Sequence, residues 1–147
     1  MPPISLPHDD FFDQVDPLDS ALDKAAVLFY PALTLSASLP SFLMWQDEFV
    51  YALARKGDAS YLLALYGKNV YFPTPPKPFN PENLETAFEY MKKVNGPGGG
   101  ISRIEGLTEE QKKASQQAGF PIRPTLTEYL YDRSQLAGLR GDPYRAK

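Results

Sequence analysis

The sequence has no cysteine and a single histidine, His8. Without cysteine there is no disulfide framework and no thiolate metal site, which fits a reducing compartment. One histidine excludes the usual His-rich metal clusters and leaves no Ser–His–acid or Cys–His set to build. Carboxylate spacing shows no cation-site pattern, so no metal is expected. No apolar run approaches the 18 or so residues of a membrane span. The N-terminus carries Asp9, Asp10 and Asp13, where a secretory leader would be basic. Together these absences set a cytoplasmic location as the expectation.

What is present describes an ordinary soluble domain. The 147 residues are 43% hydrophobic and 22% charged, enough for one core that buries about 68–70% of the unfolded surface. The net charge of −3 is unevenly spread: residues 1–50 hold eight acids against Lys24 alone. From Arg133 onward, Arg133, Arg140, Arg145 and Lys147 face only Asp142. An acidic front with a basic tail is not the overall basic balance of a nucleic-acid-binding domain. The tail fits a solvated connector, or a local docking surface for phosphate.

Periodicity sketches the elements. Residues 1–15 read as an irregular arm. Asp16-Pro17 offers an N-cap and a first helical proline, and Leu18, Ala21, Leu22, Ala25 and Phe29 follow at helical spacing. Phe49, Tyr51 and Leu53 alternate as in a half-buried strand. Tyr61–Tyr66 is continuously apolar, as in a strand covered on both faces, and Val70-Tyr71-Phe72 gives a third. The short turns between these strands predict an antiparallel meander. A proline-rich linker over 73–81 leads into a helix that starts at Asn80-Pro81 and stops at Asn95-Gly96, with Leu84, Ala87, Phe88, Met91 and Val94 as its apolar stripe. Residues 101–104 predict a fourth strand, Thr108 and Gln111 a capping box opening a polar helix, and 125–133 a fifth strand. The pattern is α+β: a mainly antiparallel sheet of about five strands flanked by helices.

Chemistry-bearing motifs are few. Gly96-Pro97-Gly98-Gly99-Gly100 follows a helix, so it meets a negative helix end, the wrong polarity for a phosphate loop. His8, Glu105 and Glu128 are the titratable candidates for acid–base work. Glu105 and Glu128 equally suit ion pairs with Arg103 or Arg123. Tyr129 and Tyr131 share one face of a regular strand and fit core packing, or an acyl groove or stacked base. Trp45 fits a loop anchor between helix and sheet. No catalytic residue is identified.

The stretches SFLMWQDEF, GISRIEGLTEEQKKASQQAGFPIRPTLTEYLYDR and LAGLRGDPYRAK resemble the DUF2156 family, related to the C-terminal domain of the phosphatidylglycerol lysyltransferases. The likeness extends from about Leu33 to Lys147. It implies a fold of the GNAT type (general N-acetyltransferase) over residues 16–139, with 140–147 a basic tail leading toward a second half expected beyond Lys147. In relatives the paired halves move an aminoacyl group from charged tRNA to a lipid headgroup, the chemistry residing in the second. The resemblance thus implies a largely structural half whose partner is a second acyltransferase-like half or a second copy. Trp45, Tyr129 and Tyr131 would line its groove, and Arg140, Tyr144, Arg145 and Lys147 would begin a region facing tRNA or lipid phosphate. GNAT-type enzymes hold the coenzyme A pyrophosphate on a glycine-containing turn between the fourth strand and the next helix. That junction, read here as 103–108, has one glycine and an acid, so no cofactor is expected. A stand-alone dimerising or binding module, and an acyl-CoA N-acyltransferase, are the alternative readings.

Overall fold

The structure is a computed structural model that describes residues 6–7, 9–29, 42, 44–97 and 102–124. Four strands, Gln14–Pro17 (β1), Val50–Lys56 (β2), Ala59–Tyr66 (β3) and Asn69–Tyr71 (β4), form one open antiparallel sheet in the order β1-β2-β3-β4. Among the described residues three α-helices accompany it: Leu22–Phe29 (α1), Pro81–Asn95 (α2) and Glu109–Gln117 (α3). The α+β class is as expected, and among the described residues the sheet has four strands. No described helix is long and apolar enough to cross a membrane.

The meander forms where the turn residues place it. Two-residue loops join Lys56 to Ala59 and Tyr66 to Asn69, and each puts a glycine at positive φ, Gly57 at 57° and Gly67 at 60°. That backbone matches the right-handed twist of the flanking strands. Side-chain alternation then divides the sheet into two buried faces. Ala52, Ala54, Tyr61, Leu63 and Val70 meet Ala87, Tyr90 and Met91 of α2. On the other face Tyr51, Leu62, Ala64 and Tyr71 meet Leu18, Ala25 and Phe42. The unbroken apolar run of β3 follows from this, since it is covered on both sides.

The first strand corrects the sequence expectation. Asp16 and Pro17 do not cap a helix; they pair with Leu53 and Ala52 of β2. Proline is tolerated there because β1 is a sheet edge. A 3-10 turn, Leu18–Ser20, then separates the strand from α1, which begins six residues after Asp16 at Leu22. The segment read as an irregular arm also contributes to the core, with Leu6 and Phe12 buried against the α2 face. Its attachment is polar as well. The Asp13 carboxylate accepts from the Gly57 amide at 2.7 Å, and the Lys56 ammonium donates to the Phe11 carbonyl at 2.7 Å while lying 4.1 Å from the centre of the Phe11 ring.

The outer edge of β4 is satisfied without a full fifth strand. Val70 exchanges two hydrogen bonds with the Asn95 side chain, each 2.8 Å. Phe72 exchanges two backbone bonds with the segment at 103–105, donating to the Arg103 carbonyl and accepting from the Glu105 amide. The strand expected at 101–104 is, over its described residues, this single parallel bridge of Phe72 with Ile104. The one expected at 125–133 lies outside the described residues. Both later helices start as their sequences indicate. Asn80 caps α2 by accepting from Asn83 N at 2.8 Å, with Pro81 at the first position and Gly96 at φ 75° ending it. Thr108 and Gln111 form a reciprocal capping box on α3.

Candidate functional site

The register of the meander builds an aromatic cleft on the face that α2 does not cover. Tyr51 pairs with Ala64, and Ala64 with Tyr71, so two tyrosines flank one small residue across three strands. Ala64 leaves open the space that a larger side chain would fill. Phe49 precedes β2 and sits against Tyr51 and Tyr71, with ring centres 6.0 Å apart in both cases. Trp45 stands at 76° to Phe49 with centres 6.4 Å apart, and Tyr71 stands at 79° to the same ring. The walls therefore meet near right angles. Phe42 and Pro73 complete the apolar lining, and Glu105 supplies a carboxylate, around a cavity of about 310 Å³.

The charged wall comes from the segment bridged to β4. The Arg103 Nε donates to Glu105 Oε1, and the guanidinium lies 4.3 Å from the centre of the Tyr71 ring. Gly106, at φ 73°, then turns the chain away toward the Thr108 cap. On the opposite rim the turn that carries Trp45 also carries Asp47 and Glu48, both exposed. Among the described residues Glu105 is the one carboxylate that lines the cleft.

Burial holds the two phenols in their neutral form. Desolvation, reinforced by Tyr71 and Glu105, pushes the Tyr51 hydroxyl up to about 12. Burial and then Glu105 raise Tyr71, with Arg103 pulling the other way. Because the folded state resists phenolate formation, the stability these groups contribute is complete below pH 10 and is lost as pH rises from 10 through about 12. A spectrophotometric titration at 295 nm will therefore show a late-ionising component that Tyr51→Phe removes, with unfolding setting in over the same alkaline window.

The structure brings together two residues that the sequence singles out separately. Trp45 lies on the rim of the cleft, 54% exposed, and Glu105 on its charged wall. Glu105 takes the ion-pair role with Arg103. Phe42, Phe49, Tyr51 and Tyr71 were not picked out as site residues, although Phe49 and Tyr51 sit two apart on one strand face, a signal for a shared surface. His8, Glu128, Tyr129, Tyr131, Arg140, Tyr144, Arg145 and Lys147 lie outside the described residues. Among the described residues no group of three or more His, Cys, Asp or Glu is arranged to hold a metal.

A second surface adjoins the cleft. Met44, 80% exposed, precedes Trp45 in the chain, and Tyr66, 51% exposed, ends β3 on the same face as Phe49. Tyr66 packs on Phe49 with ring centres 5.3 Å apart. Large apolar side chains gathered at one strand end mark an interaction surface more often than chance exposure does.

The junction between the fourth strand and the next helix also moves. With β4 at Asn69–Tyr71 it is residues 72–80, not 103–108. Compared with known proteins, the chain matches no family model, no curated protein and no solved structure.

Proposed function

We propose that this chain is the N-terminal, largely structural half of a tandem acyltransferase-like protein of the DUF2156 kind, shaping a groove for a second half that carries the transfer chemistry. The observation that carries this reading is the exposed apolar group of Trp45 and Tyr66, both against Phe49, with Met44 next to Trp45, beside an aromatic cleft. A half that must dock needs an exposed apolar surface, and large apolar groups clustered beside a cleft supply one.

The topology supports it. An antiparallel meander runs into α2, and the chain then returns parallel to β4 at Ile104, as a GNAT-type fold requires. The junction after β4 also supports a non-catalytic role. A pyrophosphate cradle is built from backbone N–H groups, and Pro73, Pro75, Pro76, Pro78 and Pro81 have none to give. The N–H of Asn83 in the first turn of α2 is already taken by Asn80.

The test begins with the coding sequence beyond Lys147, which on this reading continues into a second β-rich domain. That domain, produced separately, will bind residues 1–147. The double variant Met44→Glu/Tyr66→Thr will weaken the complex roughly 10- to 100-fold, while leaving the unfolding free energy of 1–147 within about 1 kcal/mol of the parent, because both side chains are at least half exposed. Isothermal titration calorimetry and urea unfolding read the two quantities. Unchanged affinity in the double variant sinks the proposal.

A further inference from the structure

We propose that the aromatic cleft is a binding site for a small alkylated ammonium cation, held against the faces of Trp45, Phe49, Tyr51 and Tyr71 and balanced by Glu105. This goes beyond the docking role above and does not depend on it. The geometry is that of a box. Phe49 is one wall, with Trp45 and Tyr71 near-perpendicular to it at 76° and 79°. Ring faces carry negative potential, so a cation enclosed by several is attracted by each, most strongly by tryptophan. A cavity of about 310 Å³ accommodates a trimethylammonium group with its carbon stem.

Two further features separate a cation site from a merely greasy one. The protein already places a cation on this wall, since the Arg103 guanidinium lies over the Tyr71 ring at 4.3 Å. The charge on the cleft lining also favours a positive guest. Among the described residues Glu105 is the one charged group that lines it, and its partner Arg103 is not among the lining residues. Glu105 Oε1 is held by Arg103 Nε, which fixes the carboxylate in place. An alkylated ammonium has no N–H to satisfy, or few, so it loses little on entering an apolar box. A primary ammonium would surrender its hydration there without enough acceptors in return.

Trp45 is the only tryptophan in the chain, so its fluorescence reports on the cleft directly. The full chain is titrated with tetramethylammonium chloride at constant ionic strength, and in parallel with tert-butanol, a neutral compound of similar size. The expected result is a saturable change in emission with the cation, half-complete in the millimolar range, on the order of 1–10 mM. Tert-butanol will bind at least about tenfold more weakly. Glu105→Gln will weaken the cation roughly threefold to tenfold. Tyr71→Leu will do the same by removing a wall, and circular dichroism verifies that each variant is folded.

Choline and phosphatidylcholine vesicles present the same group from two sources. A response to choline without co-sedimentation assigns a free ligand, and co-sedimentation assigns a headgroup. An equal response to tert-butanol, or no saturable response by about 50 mM tetramethylammonium, overturns the proposal.

Discussion

Tyr90→Ala will lower the stability of this fold by about 3–5 kcal/mol, a large share of the roughly 5–15 kcal/mol available to a domain of this kind. Tyr90 is fully buried on α2 and packs edge-on to Phe12 with ring centres 4.7 Å apart, and against Phe11 at 5.3 Å. Its hydroxyl donates to the Pro7 carbonyl at 2.8 Å. One side chain therefore joins the central helix to the segment that leads into β1. Truncation removes the ring contacts, leaves a cavity between helix and sheet, and strands the Pro7 carbonyl. Tyr90→Phe isolates the last of these and costs about 1 kcal/mol. Urea unfolding will show both losses as a lower midpoint with unchanged slope. If the alanine variant unfolds at the parent midpoint, residues 6–12 are not held by this helix.

That attachment explains why the start of the chain misleads when read alone. Asp16-Pro17 ahead of Leu18, Ala21 and Leu22 is a strong local helix start, and nothing nearby in sequence argues against it. The strand exists because β2 offers Ala52, Leu53, Ala54 and Arg55 as partners nearly forty residues later. Non-local pairing overrides local preference at a sheet edge. By contrast, the caps of α2 and α3 and the two glycine turns of the meander depend on residues within a few positions of one another, and they form where the sequence places them. Because β1 reads locally as a helix start, the fourth strand of the sequence reading falls at 101–104 and not at Asn69–Tyr71.

The cleft was legible only in part, for a related reason. Trp45 stands out by being unique and Glu105 as a titratable group at an expected strand position. Neither signals the other, because sixty residues separate them. The sheet register is what joins them: it sets Tyr51, Ala64 and Tyr71 in a row, and the parallel bridge at Phe72 brings Arg103 and Glu105 alongside. Aromatic alternation hinted at Phe49 and Tyr51, but no local pattern specifies that the residue between Tyr51 and Tyr71 is an alanine. A pocket floor of that kind is a property of pairing.

The residue on which the two cleft walls most depend is Asn95, and Asn95→Ala will cost roughly 2–4 kcal/mol. Val70 is fully buried, and its N–H and C=O point to the outer edge of β4, away from β3. In a longer sheet a fifth strand would take both. Here the Asn95 amide takes both, and its nitrogen also donates to Ser102 Oγ at 2.8 Å, two residues before Ile104. One side chain at the end of α2 thus substitutes for a strand and positions both Tyr71 and the segment bearing Arg103 and Glu105. Alanine leaves two buried backbone groups without partners. Asn95→Asp keeps the acceptor for the Val70 N–H but has no donor for the Val70 carbonyl or Ser102, so it recovers only part of the loss. Thermal unfolding will register the alanine change as a fall in Tm of roughly 10 °C. Emission from Trp45 will report a loosened cleft in the same variant below its Tm, because the wall opposite the indole is no longer fixed. An alanine variant as stable as the parent would mean that water satisfies Val70, and that the edge of β4 is open.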